Sequence, residues 1–260
     1  RCSPRSPGWS HSAARPSTVD TSTADGVVVA RADKSFVPST AELALGLTLA
    51  LLRNIAESTI DYRAGHEPPQ RAGGQLRGKV AGVIGYGAIG SYLAAALRSL
   101  GVTVVVHDPH VDAAADGFEQ VGLDELLARA DVVYPLAAST PETRGLIGLD
   151  ALATMRPETL LVNVSRGELL DEDAVAAALD SGRLGGLAMD VGLAPDQRPT
   201  PALAARPGVV ATPHLGGLTP ENADAQARSS VEQVAAMVAG DLPPRAVNPD
   251  HAHRLRARWA

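Results

Sequence analysis

Short apolar runs alternate along most of this chain with segments whose apolar residues recur every three or four positions. The runs at 80–84, 102–106, 131–135, 160–164, 185–190 and 209–212 are rich in Val, Leu and Ala and read as buried strands. Between them, residues 88–100 carry Ile89, Leu93, Ala96, Leu97 and Leu100 on one helical face and stop at Gly101. Residues 124–129 form a short helix with Asp124 as the expected cap, 143–155 a loop with a short helix, and Asp171 caps a helix through Leu179. A last helix opens with Thr219 as cap and Pro220 in its first turn, runs to Val238 and stops at Gly240. Strands alternating with helices predict an α/β fold, a doubly wound parallel sheet covered on both faces. In such a sheet ligands bind beyond the carboxyl ends of the strands.

The front of the chain is patterned differently. Residues 1–16 are rich in Ser, Pro and Arg without periodicity, which predicts a poorly ordered lead-in. Residues 27–30 are a short β-branched run, a strand at the edge of a first lobe. Ser39 and Glu42 form a capping-box pattern after Pro38, so a helix is expected from Ser39, with Leu43, Leu47, Ala50 and Leu51 on one face. Residues 61–78 are a polar connection. No internal repeat is apparent, and the loop between 192 and 207, with Pro195, Pro199, Pro201 and Pro207, is longer than a plain connection needs.

The sharpest local signal is VAGVIGYGAIG at 80–90. Gly85 permits a tight turn, Gly87 lets the backbone approach a pyrophosphate, and Gly90 lets the following helix lie close to the strand. The exposed N–H groups of the helix start would face the phosphates. A bare G-x-G-x-x-G is common, but here it joins a strand to a helix, and the next strand ends on Asp108. That acid stands 18 residues after Gly90, near the roughly 20 expected for a carboxylate that binds the adenosine ribose hydroxyls. Asp108 is followed by Pro109 and His110, with no adjacent Arg. Such a carboxylate repels the extra phosphate of NADP, so NAD is the favoured cofactor.

Composition narrows the picture further. Hydrophobic residues make up 45% of the 260 positions and aromatics 3%, so the core must be mostly Ala, Val and Leu, which suits α/β packing. A net charge of −6 gives no electrostatic reason to bind nucleic acid or an anionic membrane. Arg254, Arg256 and Arg258 are the only basic cluster, and a solvated tail is the bland reading. One cysteine, Cys2, excludes an intrachain disulfide and points to a reducing, cytoplasmic setting. The apolar stretch 43–52 is too short to span a bilayer, and the first residues lack the apolar segment of a signal peptide.

Three strand ends carry candidate chemistry. His214 follows the strand at 209–212 and can give or take a proton near neutral pH, as reduction of a carbonyl requires; a structural loop histidine is an equal alternative. Arg166, in VNVSRGELLDED, has a planar fork suited to a carboxylate; its plain alternative is an ion pair with Glu168 or Asp171. Asp190 could hydrogen-bond a nicotinamide carboxamide, or simply cap a turn.

VNVSRGELLDEDAVAAAL, the glycine turn, AMDV and TPHLGG, at their spacing, resemble the D-isomer-specific 2-hydroxyacid dehydrogenase family over about residues 39–222. The resemblance implies a Rossmann NAD-binding domain at 38–218 and an incomplete second, flavodoxin-like substrate lobe. Residues 1–37 would be a remnant of that lobe, and 219–260 a C-terminal helix and tail returning to it. It implies His214 as acid/base, Arg166 as carboxylate binder and Asp108 as ribose acid. Cofactor contacts are implied at Gly85, Gly87, Ala88, Ile89, Gly90, Ala137, Val164, Ser165, Arg166, Asp190, His214 and Gly216. It further implies a small 2-oxo or 2-hydroxy acid substrate, a homodimer and no metal.

The chain departs from the family pattern in four places. The acid expected to pair with the histidine is replaced by Pro195, and Asp196, one residue on, is expected to reach His214 in its stead. Leu136 and Ala138 replace a His and a Pro before the TPET stretch. The substrate-binding glycine loop is matched only by residues 12–20, with Ala13 and Ala14 and no glycine, and Arg15 is the anion contact left there. Most of the first lobe's sheet is missing, as expected of a truncated chain. The residues therefore leave an enzyme, a non-catalytic NAD-binding regulatory module, and, with a poorer fit at Arg166–Gly167, a hydrolase using bound NAD.

Overall fold

Apolar strands bury both faces, and here a run of them assembles side by side with a short polar strand at one edge. The computed structural model describes residues 10–12, 26–31, 33–254 and 257, which fall into two units, Val37–Leu218 and Arg1–Phe36 with Thr219–Ala260. Cys2, Arg256, Arg258 and the proposed anion contact Arg15 with Ala13 and Ala14 lie outside the described residues. In chain order the elements begin with strands β1 (Ser10–Ser12) and β2 (Val29–Arg31) and helices α1 (Phe36–Leu52) and α2 (Ile55–Arg63). Then come β3 (Val80–Ile84), α3 (Ala88–Ser99), β4 (Thr103–His107), β5 (Glu119–Gln120), α4 (Leu123–Arg129) and β6 (Val132–Pro135). The chain continues with α5 (Leu149–Thr154), β7 (Leu160–Asn163), α6 (Glu172–Asp180), β8 (Gly186–Met189), α7 (Pro201–Ala204), β9 (Val209–Ala211) and α8 (Pro220–Val238).

The larger unit is built on the sheet β5-β4-β3-β6-β7-β8-β9, parallel throughout. Successive residues of each strand feed opposite cores. Ala81, Val83, Val104, Val106, Val132, Tyr134, Val162 and Ala188 join α1 and α3 on one side. Ile84, Val105, Val133, Leu161, Leu187 and Met189 join α4, α5, α6 and α7 on the other. The buried hydroxyl of Tyr134 shares a hydrogen bond with Thr48 Oγ1 of α1 at 2.9 Å, and burial raises its pKa above the ordinary range. The strand order reverses between β3 and β6, which opens a crevice at their carboxyl ends.

The smaller unit is described by itself. Its β1 and β2 form a parallel pair, so residues 10–12 are a strand where the sequence suggests only a lead-in. The chain beyond α8 returns to β2: Asn248 accepts from Val29 N–H at 2.7 Å and donates to the Val27 carbonyl at 2.9 Å. Gln233 of α8 donates to the Arg31 carbonyl. Arg254, itself exposed, lies against Gly26, where an added Cβ would sit 2.3 Å from its side chain.

Several local expectations need correction. The first helix begins at Phe36, three residues before Ser39, because Pro38 fits a first helical turn, where a missing N–H costs nothing. Ser39 and Glu42 are therefore internal and form no capping box. Residues 61–63 belong to α2, which follows a left-handed break at Asn54 (φ 51°). Asp124 lies in the first turn of α4, whose cap is Gly122. Asp171 and Thr219 do cap their helices, accepting from Ala174 N–H and Asn222 N–H. Among the described residues no single helix is long and apolar enough to cross a membrane.

Candidate active site

The site is assembled from the turns that leave the sheet at its carboxyl edge. After β3, Gly85 adopts φ +98°, and an added Cβ there would lie 2.6 Å from Ala137 N, in the turn after β6. At Gly90 an added Cβ would fall 2.1 Å from the Gly85 carbonyl oxygen, so only glycine lets α3 start this close to β3. Gly87 is different: a Cβ would meet nothing within 4 Å. Glycine is not demanded there by the protein's own packing, and the open space beside the helix start fits the pyrophosphate of a dinucleotide. Ala88 and Ile89 are the first residues of α3, half-buried beside that turn.

Asp108, past the end of β4, is half-buried and heavily solicited by the backbone. Its Oδ2 accepts from Tyr86 N–H inside the glycine turn at 2.7 Å, and Oδ1 accepts from His110 N–H and Val111 N–H at 2.8 and 3.0 Å. Burial works against its ionisation, but the donors from His110, Tyr86 and Val111 outweigh it and hold the carboxyl below the ordinary aspartate range. The acid thus joins the glycine turn to the loop that follows β4. Tyr86 turns its own hydroxyl to Asp116 at 2.9 Å; burial and that carboxylate push its pKa up to about 12.

The turn after β7 holds Val164, Ser165 and Arg166. Asn163, fully buried, accepts from Ser165 N–H and donates to the Arg166 carbonyl, which closes the turn. Ser165 Oγ reaches the Ala137 carbonyl at 3.2 Å, so the turns after β6 and β7 are in contact. Arg166 is half-buried and donates to the Ser165 carbonyl at 2.7 Å. It makes no ion pair with Glu168 or Asp171 among the described residues, and Glu168 keeps one carboxylate oxygen buried without a hydrogen-bond partner. Leu136 is a core residue, and Ala138 is exposed, its carbonyl accepting from Thr143.

After β8 comes Asp190, with 0% exposure. Its Oδ1 accepts from Thr212 Oγ1 at 2.6 Å and Leu215 N–H at 2.7 Å, and Oδ2 accepts from Gly216 N–H at 2.8 Å. These bonds grip the turn after β9 on both sides of His214. Asp190 is therefore the anchor of that turn, the plainer of the two roles its place at a strand end suggests. His214 itself is held in the left-handed region (φ 62°), which costs a non-glycine residue on the order of 1 kcal/mol and persists only where surrounding bonds enforce it.

The partner of His214 differs from the expected one. Nδ1 lies 3.0 Å from the main-chain carbonyl of Asp196, and the Asp196 carboxylate forms no hydrogen bond to the ring. The reason is local. After Pro195 both Asp196 (φ 60°) and Gln197 (φ 58°) are left-handed, which reverses the chain and turns a carbonyl, not a carboxylate, to the imidazole. A carbonyl can only accept, so Nδ1 carries the hydrogen and Nε2 is left for proton exchange. Asn163 is the position shaping this edge that sequence reasoning passed over, and Asp190 the one whose grip on the next turn it left as an alternative. Their signal was a polar side chain embedded in, or just past, an otherwise apolar strand.

The rim is continuous: Gly85 meets Ala137, Ala137 meets Ser165, the Arg166–Gly167 turn meets Gly192, and the 192–200 loop meets His214. An added Cβ at Gly167 would lie 2.3 Å from the Gly192 backbone.

The model of the D-isomer specific 2-hydroxyacid dehydrogenase NAD-binding domain matches residues 45–216. The D-3-phosphoglycerate dehydrogenase of Mycobacterium leprae is 41% identical over 237 residues, which cover 89% of this chain and 44% of that protein. The chain thus spans less than half the length of this curated relative. Among solved structures, a glyoxylate reductase from Paecilomyes thermophila has a TM-score of 0.79 at 29% identity, over 86% of this chain and 69% of the other. A D-lactate dehydrogenase from Aquifex aeolicus, complexed with NAD and lactic acid, has a TM-score of 0.76 at 25% identity, over 85% and 73%. This chain belongs to the D-isomer-specific 2-hydroxyacid dehydrogenase family and carries its NAD-binding domain.

Proposed function

We propose that the protein is an NAD-dependent oxidoreductase that moves a hydride between NAD(H) and C2 of a small 2-hydroxy or 2-oxo acid. The observation that supports this best is the continuous rim, which presents Arg166, His214 and the glycine turn along one edge of one sheet. Bound NADH supplies the hydride. Arg166 binds the substrate carboxylate with its two-pronged fork and stabilises the charge that gathers on the carbonyl oxygen. His214 delivers a proton from Nε2 to that oxygen as the carbonyl electron pair moves onto it; in the oxidative direction it takes the proton back. On the cofactor side we assign Gly85, Gly87, Ala88, Ile89, Gly90, Asp108, Ala137, Val164, Ser165 and Gly216, with Asp190 acting from beneath through the His214 turn.

Incubation with NADH and glyoxylate, hydroxypyruvate, pyruvate or phenylpyruvate, or with NAD and D-3-phosphoglycerate, tests this. The expected result is a change in nicotinamide absorbance with at least one of them, reduced about a hundred-fold or more by His214→Ala. A second reading, a non-catalytic NAD-binding module, draws on the exposed Asp196 carboxylate, which leaves His214 without a charged partner. NADH binding with no turnover on any of these acids would favour it.

We also propose that the chain pairs with a second copy through α1 and α2. Helix α1 is apolar nearly all round yet buries one face only, and α2 buries no residue and leaves Ile55, Ile60 and Tyr62 more than half exposed. Sedimentation equilibrium should give twice the chain mass, and a monomeric mass at every concentration would refute the pairing.

A further inference from the structure

The carbonyl that faces His214 belongs to a loop with its own fastening. Glu172, in the first turn of α6, accepts from Leu193 N–H through Oε1 at 3.3 Å and from Thr200 Oγ1 through Oε2 at 2.6 Å. One carboxylate therefore ties both ends of the loop. Between them the loop folds back on itself, with Gly192 N–H donating to the Gln197 carbonyl and Ala194 N–H to the Arg198 carbonyl, at 2.9 and 3.1 Å. Its base is tight, since an added Cβ at Gly192 would lie 2.7 Å from the Arg198 carbonyl oxygen. Its tip holds two consecutive left-handed residues, Asp196 and Gln197, a conformation a free loop would relax.

We propose that Glu172 is a positioning residue for His214. By closing the 193–200 loop it holds the Asp196 carbonyl at Nδ1, fixes the Nδ1–H tautomer of the imidazole and keeps Nε2 as the nitrogen that exchanges the proton. The catalytic part of this inference rests on the oxidoreductase reading above; the tautomer part does not. The bonds of Glu172 and Thr200 run to the loop and to each other, so their effect passes through the loop. Two anchors then meet at one ring: Asp190 holds the main chain of His214, and Glu172 holds the acceptor of its side chain.

The test uses the full chain as wild type, Glu172→Ala, Glu172→Gln and Thr200→Val, with His214 assigned in nitrogen-15 NMR spectra by comparison with His214→Gln. Wild type should show the Nδ1–H form. Glu172→Ala should lose it, with kcat lowered about ten-fold or more and NADH affinity unchanged. Thr200→Val should move the same way by less, and Glu172→Gln, which keeps an acceptor oxygen and the side-chain shape, should restore most of the wild-type signature. An unchanged tautomer in both Glu172→Ala and Thr200→Val overturns the proposal, and Thr200→Val decides it should the Ala variant not fold. A tautomer lost in a protein that turns over no 2-oxo acid supports the clamp and refutes the oxidoreductase reading.

Discussion

The two ends of the rim are held in different ways. At the glycine turn, contacts run between neighbours in the fold: β3 beside β4, α3 rising from β3, Asp108 reaching Tyr86. At the His214 end, side chains tie segments far apart in the chain, Asp190 to Gly216 and Glu172 to Thr200, while Asn163 closes its own turn on Arg166. The first region depends on backbone space, the second on buried or half-buried polar groups that find each other only after the sheet has formed. Space is unforgiving of one added atom, whereas polar fastenings fail in proportion to the bonds removed.

Gly90→Val should have the largest effect. With an added Cβ only 2.1 Å from the Gly85 carbonyl oxygen, either the turn or α3 must move, at a cost of about 3 kcal/mol. Thermal melts should show the loss, and NADH titration should show affinity falling with it. Asp190→Asn comes next: the amide keeps an acceptor for Thr212 and Leu215 but sets an N–H against Gly216 N–H, or the reverse, at 0% exposure. About 2 to 3 kcal/mol of stability should go, read by urea unfolding. A loss as small as that of an exposed aspartate would mean that this end is not held from below.

A smaller effect is expected at the cofactor end in acid. Because the Asp108 carboxyl is held below the ordinary range, its contribution is fully present above about pH 4, the unfolded value, and disappears as pH falls through the lower folded value. Melts of wild type and Asp108→Asn should run parallel at neutral pH and converge below about pH 4. The smallest change belongs to Asp196→Asn. Asn tolerates the left-handed backbone as Asp does, and the carbonyl at His214 Nδ1 is retained, so the pH profile of turnover should stay where it is. A displaced profile would restore the carboxylate as the histidine's partner.

Much of this architecture could be read before any coordinates. Short β-branched apolar runs such as TVVVH and VVYP read as buried strands and are strands, and Gly85, Gly90 and Asp108 lie at the turns their spacing suggests. Caps confined to one turn were legible at Asp171 and Thr219 but not at Ser39, where Pro38 already satisfies an earlier start. What stayed hidden has a common cause. Whether Asp196 offers a side chain or a carbonyl depends on two left-handed residues, and these depend on Glu172, 24 positions away from Asp196. Spacing in sequence carries no record of such a tie. Asp190 shows the same limit, since the donors it satisfies become its neighbours only when the turns after two strands meet.

Drawing the imidazole's acceptor from the peptide unit means that no substitution at position 196 can delete it. The identity of that side chain is thereby released from the chemistry, so long as the residue chosen accepts a positive φ. Inheritance acts instead on curvature, and a lesion at a distant glutamate should imitate the loss of a local acid.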